Sequence, residues 1–198
     1  MRAVFLDRDG VICRNRSDHV KSWTEFEFLP GALESLALLA YLGWPVVVVT
    51  NQAAVHRNLV SEEAVQEIHR RMVAEVTAAG GRIDRVLYCP HRPDEACFCR
   101  KPEPGMLVQA AQEMGLTLAG SYLVGDAASD MLAARRVGCR PFLVLTGRGM
   151  HQLLPALQMA GGQFTTVRNL KSAVAHILQA ETCLPMAAGR LENHHLAE

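Results

Sequence analysis

The chain lacks a surplus of charge of either sign: its 20 Lys and Arg balance its 20 Asp and Glu. A nucleic-acid partner would call for a basic excess gathered into a footprint, and no such cluster is present. A small anionic substrate stays compatible with neutrality, because it needs only one local positive pocket. Also missing is any apolar run long enough to cross a bilayer, so no membrane partner is expected. The opening MRAVFLDRDG is too short for a signal peptide, lacks a small-residue cleavage site and meets carboxylates by Asp7. A cytoplasmic protein is therefore expected. Its six cysteines then stay reduced and form no disulfide scaffold. No internal repeat appears, and no large insertion is available to fold as a separate lid.

What is present is a chain of 198 residues, 49% hydrophobic, enough to bury one self-sufficient core. Apolar strand-like runs alternate with helix-like stretches. Strands are expected at Ala3–Leu6, Val46–Val49, Ile83–Tyr88, Ser121–Val124 and Phe142–Leu145, with a short one at Thr165–Val167. The four-valine run reads as a buried parallel strand. Helices are expected over Gly31–Leu42, from a Ser61 cap to Gly80, from Pro104 to Gly115, from about Ser129 to Gly138, and from an Asn169 cap to about Ala180. This alternation predicts a three-layer, doubly wound α/β domain around a central parallel sheet. One domain over residues 1–180 is expected, followed by a polar tail over 181–198, the whole acting as a monomer.

Ligands in open α/β sheets sit beyond the carboxyl ends of the strands. The first expected strand ends in Asp7-Arg8-Asp9-Gly10, the second in Thr50-Asn51-Gln52 and the fourth in Gly125-Asp126, followed by Asp130. The loop after the third runs into Arg100-Lys101. Taken singly, each has a plain structural reading: a solvated turn, or a cap. Together they place several carboxylates, a hydroxyl and a lysine at one edge. Converging carboxylates repel, and a hard cation such as Mg²⁺, which takes oxygen ligands and substrate phosphate, relieves that repulsion. A hydroxyl and a lysine can hold phosphoryl oxygens where charge develops. Asp7 can attack phosphorus, and Asp9 can protonate the leaving oxygen and then deprotonate water. A phosphate-binding or zinc-stabilised interaction module is the non-enzyme alternative, but it would need neither a nucleophile nor an acid/base.

A second cluster, Cys89-x-His91-x₅-Cys97-x-Cys99, offers three thiolates and one imidazole. Such soft donors suit tetrahedral Zn²⁺, the alternatives being free thiols or a disulfide.

DRDGVI at Asp7–Ile12, VVTNQ at Val48–Gln52, CRKPEPGM at Cys99–Met106 and VGDAASDM at Val124–Met131 resemble, in order and spacing, the four motifs of the haloacid dehalogenase superfamily. The resemblance spans residues 2 to about 150. Within that superfamily the chain resembles the heptose bisphosphate phosphatases and their relatives, the histidinol-phosphate phosphatases. It implies the superfamily's three-layer Rossmann-like fold without a large cap domain, and a magnesium-dependent phosphatase using an aspartyl-phosphate intermediate. By motif, Asp7 resembles the nucleophile and magnesium ligand. Asp9 resembles the acid/base, its backbone carbonyl also on magnesium. Asp126 resembles a further magnesium ligand, with Asp130 beside the metal and its waters. Thr50 and Lys101 fall on the phosphate-binding hydroxyl and lysine, and Arg57 on an arginine in a loop associated with substrate. Asn51 and Arg100, beside Thr50 and Lys101, are further expected substrate-binding residues. The cysteine cluster resembles a structural zinc site that staples the loop leading to Lys101.

The stretch FEFLPG at Phe26–Gly31 and the PGM at Pro104–Met106 resemble the heptose branch, so a small phosphorylated metabolite, a sugar bisphosphate, is the expected substrate. The short spacing between His91 and Cys97 resembles the histidinol-phosphate branch. Two positions depart from both branches: Ala53-Ala54 stands where Ser-Gly is usual, and Ala127 where Lys or Arg is usual.

Overall fold

A computed structural model describes residues 1–182. Six strands, β1 (Val4–Leu6), β2 (Val46–Asn51), β3 (Arg85–Cys89), β4 (Tyr122–Gly125), β5 (Arg140–Val144) and β6 (Thr165–Val167), form one sheet in the order β3-β2-β1-β4-β5-β6. Every pairing is parallel. The helices are α1 (Ala32–Tyr41), α2 (Glu62–Ala78), α3 (Gly105–Met114), α4 (Ala128–Arg136), α5 (Gly149–Ala160) and α6 (Leu170–Thr182).

Alternation along the strands builds the three layers. Val4, Leu6, Val46 and Val48 face one side, against Leu36 and Leu39 of α1, Met72 and Val76 of α2, and Val174 and Ile177 of α6. Phe5, Val47 and Val49 face the other, against Met106 and Leu107 of α3 and Ala133 and Ala134 of α4. The valine run is therefore continuous because both sheet faces are covered. Each such side chain buried from water stabilises the fold by roughly 1.5–3 kcal/mol before entropy is charged against it. Ser61 caps α2 by accepting from the backbone of Ala64 at 3.2 Å, and Glu62 and Glu63 sit in its positive first turn.

The central parallel sheet expected from the sequence is present, and no cap domain exists among the described residues. Several boundaries differ. The third strand starts at Arg85 rather than Ile83 and runs on to Cys89. The fifth strand starts at Arg140, ahead of the apolar run from which it was expected. Helix α5 was not expected at all. It holds Pro155 in its interior, which removes one backbone donor, and glycine stands at its first position, so its sequence carries breakers where helix formers would announce it. The last helix continues to Thr182, so residues 181 and 182 are helical rather than tail. The rest of the expected tail, residues 183–198, lies outside the described residues. No described helix is long and apolar enough to cross a membrane.

Candidate active site

The carboxyl ends of β1, β2 and β4 and the loops after β3 and β5 surround a cavity of about 500 Å³, lined by Asp7, Asp9, Thr50, Arg57, Lys101, Asp130 and Arg148 among others. Parallel pairing makes this convergence: all six strands deliver their ends to the same edge. The Asp7 backbone donates to Val124 O at 2.9 Å, carrying the β1–β4 ladder one residue past the strand. That contact fixes the base of the Asp7 side chain, which is only 6% exposed.

Lys101 is the positive centre of the floor. Its Nζ lies 3.0 Å from Asp7 Oδ1 and 2.5 Å from Asp130 Oδ1, and it donates to Val49 O at 2.8 Å. The Asn51 amide aims this lysine, donating to Lys101 O at 3.0 Å and accepting from Lys101 N at 3.1 Å. Asp130 uses Oδ2 to accept from the Ala127 backbone at 3.0 Å, while its buried Oδ1 has no partner in hydrogen-bond geometry.

Asp126 is fully buried. Gly10 and Gly147, both at positive φ (+85° and +59°), pass so close to its carboxylate that a Cβ on either would collide with it. The Arg148 backbone donates to Asp126 Oδ2 at 2.8 Å, and Arg148 Nη2 lies 3.0 Å from Oδ1. Arg148 and its neighbours went unread in the sequence. The signal was available, since Thr146-Gly147-Arg148 follows β5 after one residue, Leu145, and the strand-end rule applies there as well.

Asp9 is held differently from Asp7. Arg8 reaches it with Nη2 at 3.0 Å and 2.9 Å, and Gln52 Nε2 donates to Asp9 Oδ2 at 2.8 Å and to Thr50 Oγ1 at 2.9 Å. Burial alone would raise the Asp9 pKa, but the Arg8 charge and the hydrogen bonds from Gln52 and Arg8 outweigh it and hold the carboxyl below the usual range. Asp7 goes the other way. Burial, opposed by Lys101 but reinforced by Asp130, Asp126 and Asp9, raises it to about 7.

Donor atoms of Asp7, Asp126 and Asp130 lie within 4.8 Å of one another, all three side chains being buried. Three hard oxygens and a carboxylate oxygen without a hydrogen bond fit a divalent cation of the magnesium type. Because Asp7 binds its proton up to about pH 7, a cation must displace that proton. The apparent Mg²⁺ affinity should therefore weaken as pH falls below about 7, and calorimetry in buffers of differing ionisation heat should register proton release. Affinity independent of pH between 5.5 and 8 would contradict this environment for Asp7.

The structure also brings the second cluster together. Cys89 ends β3, and its Sγ lies 3.5 Å from Cys97 Sγ, 3.2 Å from Cys99 Sγ and 3.4 Å from His91 Nδ1. These separations exceed a disulfide bond, and both cysteines of the loop are free. Four soft donors within 4.8 Å fit a tetrahedral Zn²⁺. Arg100 extends from this loop, its Nη1 donating to His91 O at 3.0 Å. Arg57 and Arg100 both line the cavity. His56 Nδ1 meets Glu95 at 3.0 Å, and the His56 and His91 rings stand 4.9 Å apart, tying the Arg57 loop to the cysteine loop. The two unusual alanines, Ala53 and Ala54, are buried, and Ala54 packs against Val60 and Val65.

The HAD-hydrolase-like family model matches residues 98–173. The D-glycero-β-D-manno-heptose-1,7-bisphosphate 7-phosphatase of Pseudomonas aeruginosa is 41% identical over 150 residues, covering 76% of this chain and 84% of that protein. The chain belongs to the haloacid dehalogenase (HAD) phosphatases. The corresponding Bordetella bronchiseptica enzyme is 41% identical over 153 residues, 77% of this chain and 86% of that one. A crystal structure of the D,D-heptose 1,7-bisphosphate phosphatase from B. bronchiseptica, complexed with magnesium and phosphate, superposes with a TM-score of 0.84 at 37% identity over 91% of this chain and 99% of that one. The resemblance read from the four motifs is thereby borne out, and the strand-end cavity stands open with no cap domain among the described residues.

Proposed function

We propose that this HAD phosphatase hydrolyses D-glycero-β-D-manno-heptose 1,7-bisphosphate, removing the 7-phosphate through an aspartyl phosphate on Asp7. The observation that carries the reading is the Asp7–Lys101–Asp130 arrangement: a buried carboxylate 3.0 Å from an ammonium, on the floor of an open cavity. The names of the 41% identical relatives supply the substrate.

In the first step Asp7 Oδ attacks phosphorus as the bond to the sugar oxygen breaks. Asp9, ionised in the free site, takes up a proton as the anionic phosphate binds beside it and gives that proton to the leaving oxygen. In the second, Asp9 takes a proton from water, which attacks phosphorus and releases Asp7. Thr50 and Lys101 hold phosphoryl oxygens as charge shifts between them. Magnesium, when bound by Asp7, Asp126 and the Asp9 carbonyl with Asp130 alongside, offsets the charge of carboxylates and phosphate so that an anion can attack an anion. Zinc is assigned to Cys89, His91, Cys97 and Cys99 as a structural ion, since four protein ligands leave no open position. Residues 1–180 carry this activity as one domain. The free thiols among the described residues suit a reducing cytoplasm.

A bisphosphate needs cations away from the reacting phosphorus. Arg57 and Arg100 provide them at the cavity wall, and arginine suits two-point contact with phosphate. Kinetics on both heptose bisphosphate anomers, fructose bisphosphate and histidinol phosphate test the assignment. The β-heptose bisphosphate should give the highest kcat/KM. Arg57→Ala should raise its KM about tenfold, the loss of a charge-assisted contact of roughly 1.5 kcal/mol, and leave monophosphates nearly unchanged. A higher kcat/KM on histidinol phosphate would refute the substrate while leaving the chemistry standing.

A further inference from the structure

Arg8 is the residue between the two aspartates of the first motif, and its side chain is 1% exposed. A buried guanidinium must place its donors. Nε and Nη2 go to Asp9, at 3.3 Å for the first contact and 2.9 Å for the shortest, and Nη2 also donates to Gln52 Oε1 at 3.0 Å. Nη1 turns away from the site and meets His69 Nε2 at 3.0 Å. His69 belongs to α2, is 6% exposed, and its ring lies 5.5 Å from that of Tyr88.

Arg8 can only donate, so His69 Nε2 must accept, which puts the ring in its neutral form with the proton on Nδ1. Burial and the Arg8 charge push the His69 pKa down to about 3, so that form persists at any pH where the enzyme works.

We infer that His69 is a positioning residue for catalysis, anchoring Arg8 from behind so that Arg8 presents the Asp9 carboxyl to the leaving oxygen. The inference rests on the reading of Asp9 as acid/base. The physical reason is a chain of two rigid contacts. With Nη1 fixed by His69, the guanidinium plane is fixed, and that plane sets both oxygens of Asp9. Without an acceptor at residue 69, Nη1 is a buried charged donor with no partner, a costly arrangement that the side chain relieves by turning. Asp9 turns with it, because three Arg8–Asp9 contacts move as one body. A displacement of a fraction of an ångström is enough to weaken proton transfer.

The test uses leaving groups. An alkoxide needs its proton as the P–O bond breaks, whereas p-nitrophenolate departs without one, so loss of acid assistance shows on the first and not on the second. His69→Leu removes the acceptor, and His69→Gln keeps an amide oxygen at nearly the same reach. His69→Leu should lower kcat/KM for an alkyl phosphomonoester about tenfold and that for p-nitrophenyl phosphate less than about threefold, and His69→Gln should recover most of the alkyl loss. Asp9→Asn is the control and should show the same leaving-group contrast more strongly. If Asp9→Asn shows it and His69→Leu does not, the inference about His69 is wrong and the acid/base assignment stands. If Asp9→Asn slows both substrates equally, the acid/base assignment fails and takes the His69 inference with it. Should His69→Leu not fold, His69→Asn, whose acceptor falls short of Nη1, replaces it with the same two outcomes.

Discussion

Asp7→Asn should lower phosphate release about 10⁴-fold or more, the scale seen when an attacking side chain is removed from a machinery that acts as a unit. An amide cannot attack phosphorus, and the aspartyl phosphate then has no site on which to form. Acid-quenched protein should carry covalent phosphate in the wild type during turnover and none in the variant. The fold should survive, and stability allows a sharper statement. Asp7 in the metal-free protein has its pKa raised from about 3.8 to about 7, chiefly by burial. The native state therefore binds a proton that the unfolded chain has released, and stability falls as pH rises across that interval. Above about pH 7 the full cost of the buried charge is present. Asparagine carries no such charge, so metal-free Asp7→Asn should melt no lower than wild type at pH 8 and should lose the downward slope between pH 4 and 7. Near wild-type turnover in this variant would remove Asp7 as nucleophile. A collapse of its melting temperature would show that the carboxylate is structural instead.

The sheet and the convergence of carboxylates at its strand ends were legible in the sequence for the same reason. Strands buried on both faces need uninterrupted apolar runs, as at Val46–Val49, and residues such as Asp7, Thr50 and Asp126 break those runs abruptly at the ligand edge. What was not legible depends on contacts far apart in the chain. His69 sits on a helix with a mixed face, and nothing local distinguishes it from any other helical histidine. Only the fold brings it 3.0 Å from Arg8, 61 residues away. Arg8 itself reads as a solvated turn residue until the structure buries it. Helix α5 was hidden by Gly149 and Pro155, whose local preferences oppose the helix that packing of Ala156 and Ala160 against Ala128 and Met131 imposes. Arg148, just ahead of that helix, was lost with it.

Cys97→Ser should have the second large effect, on stability and on catalysis together. Cys97 suits the experiment because it is only half-buried, whereas Cys89 is fully buried in the core, so replacing Cys97 removes a metal ligand with little loss of packing. If the four donors hold zinc, the ion is coupled to folding, and structural zinc supplies on the order of 10 kcal/mol in small domains at neutral pH. Losing one ligand forfeits a part of that, and a drop of about 10 °C in melting temperature corresponds to roughly 3–5 kcal/mol for a chain of this size. The damage should reach the active site by a short route. Cys99 is two residues from Lys101, and Cys89 O accepts from Gln52 N at 2.7 Å, beside Thr50. Releasing the loop loosens Arg100 and leaves Lys101 held only by the Asn51 amide and by its own Nζ contacts to Val49 O, Asp7 and Asp130. We expect about one zinc per chain by elemental analysis of wild type purified without chelator, and little in Cys97→Ser. Turnover should fall at least tenfold while Mg²⁺ still binds, since Asp126 is held by Gly10, Gly147 and Arg148 and by nothing in the cysteine loop. Wild-type protein without zinc, paired with a Cys97→Ser variant of unchanged stability, would mean that these four residues are three ordinary thiols and a histidine and that Lys101 needs no staple.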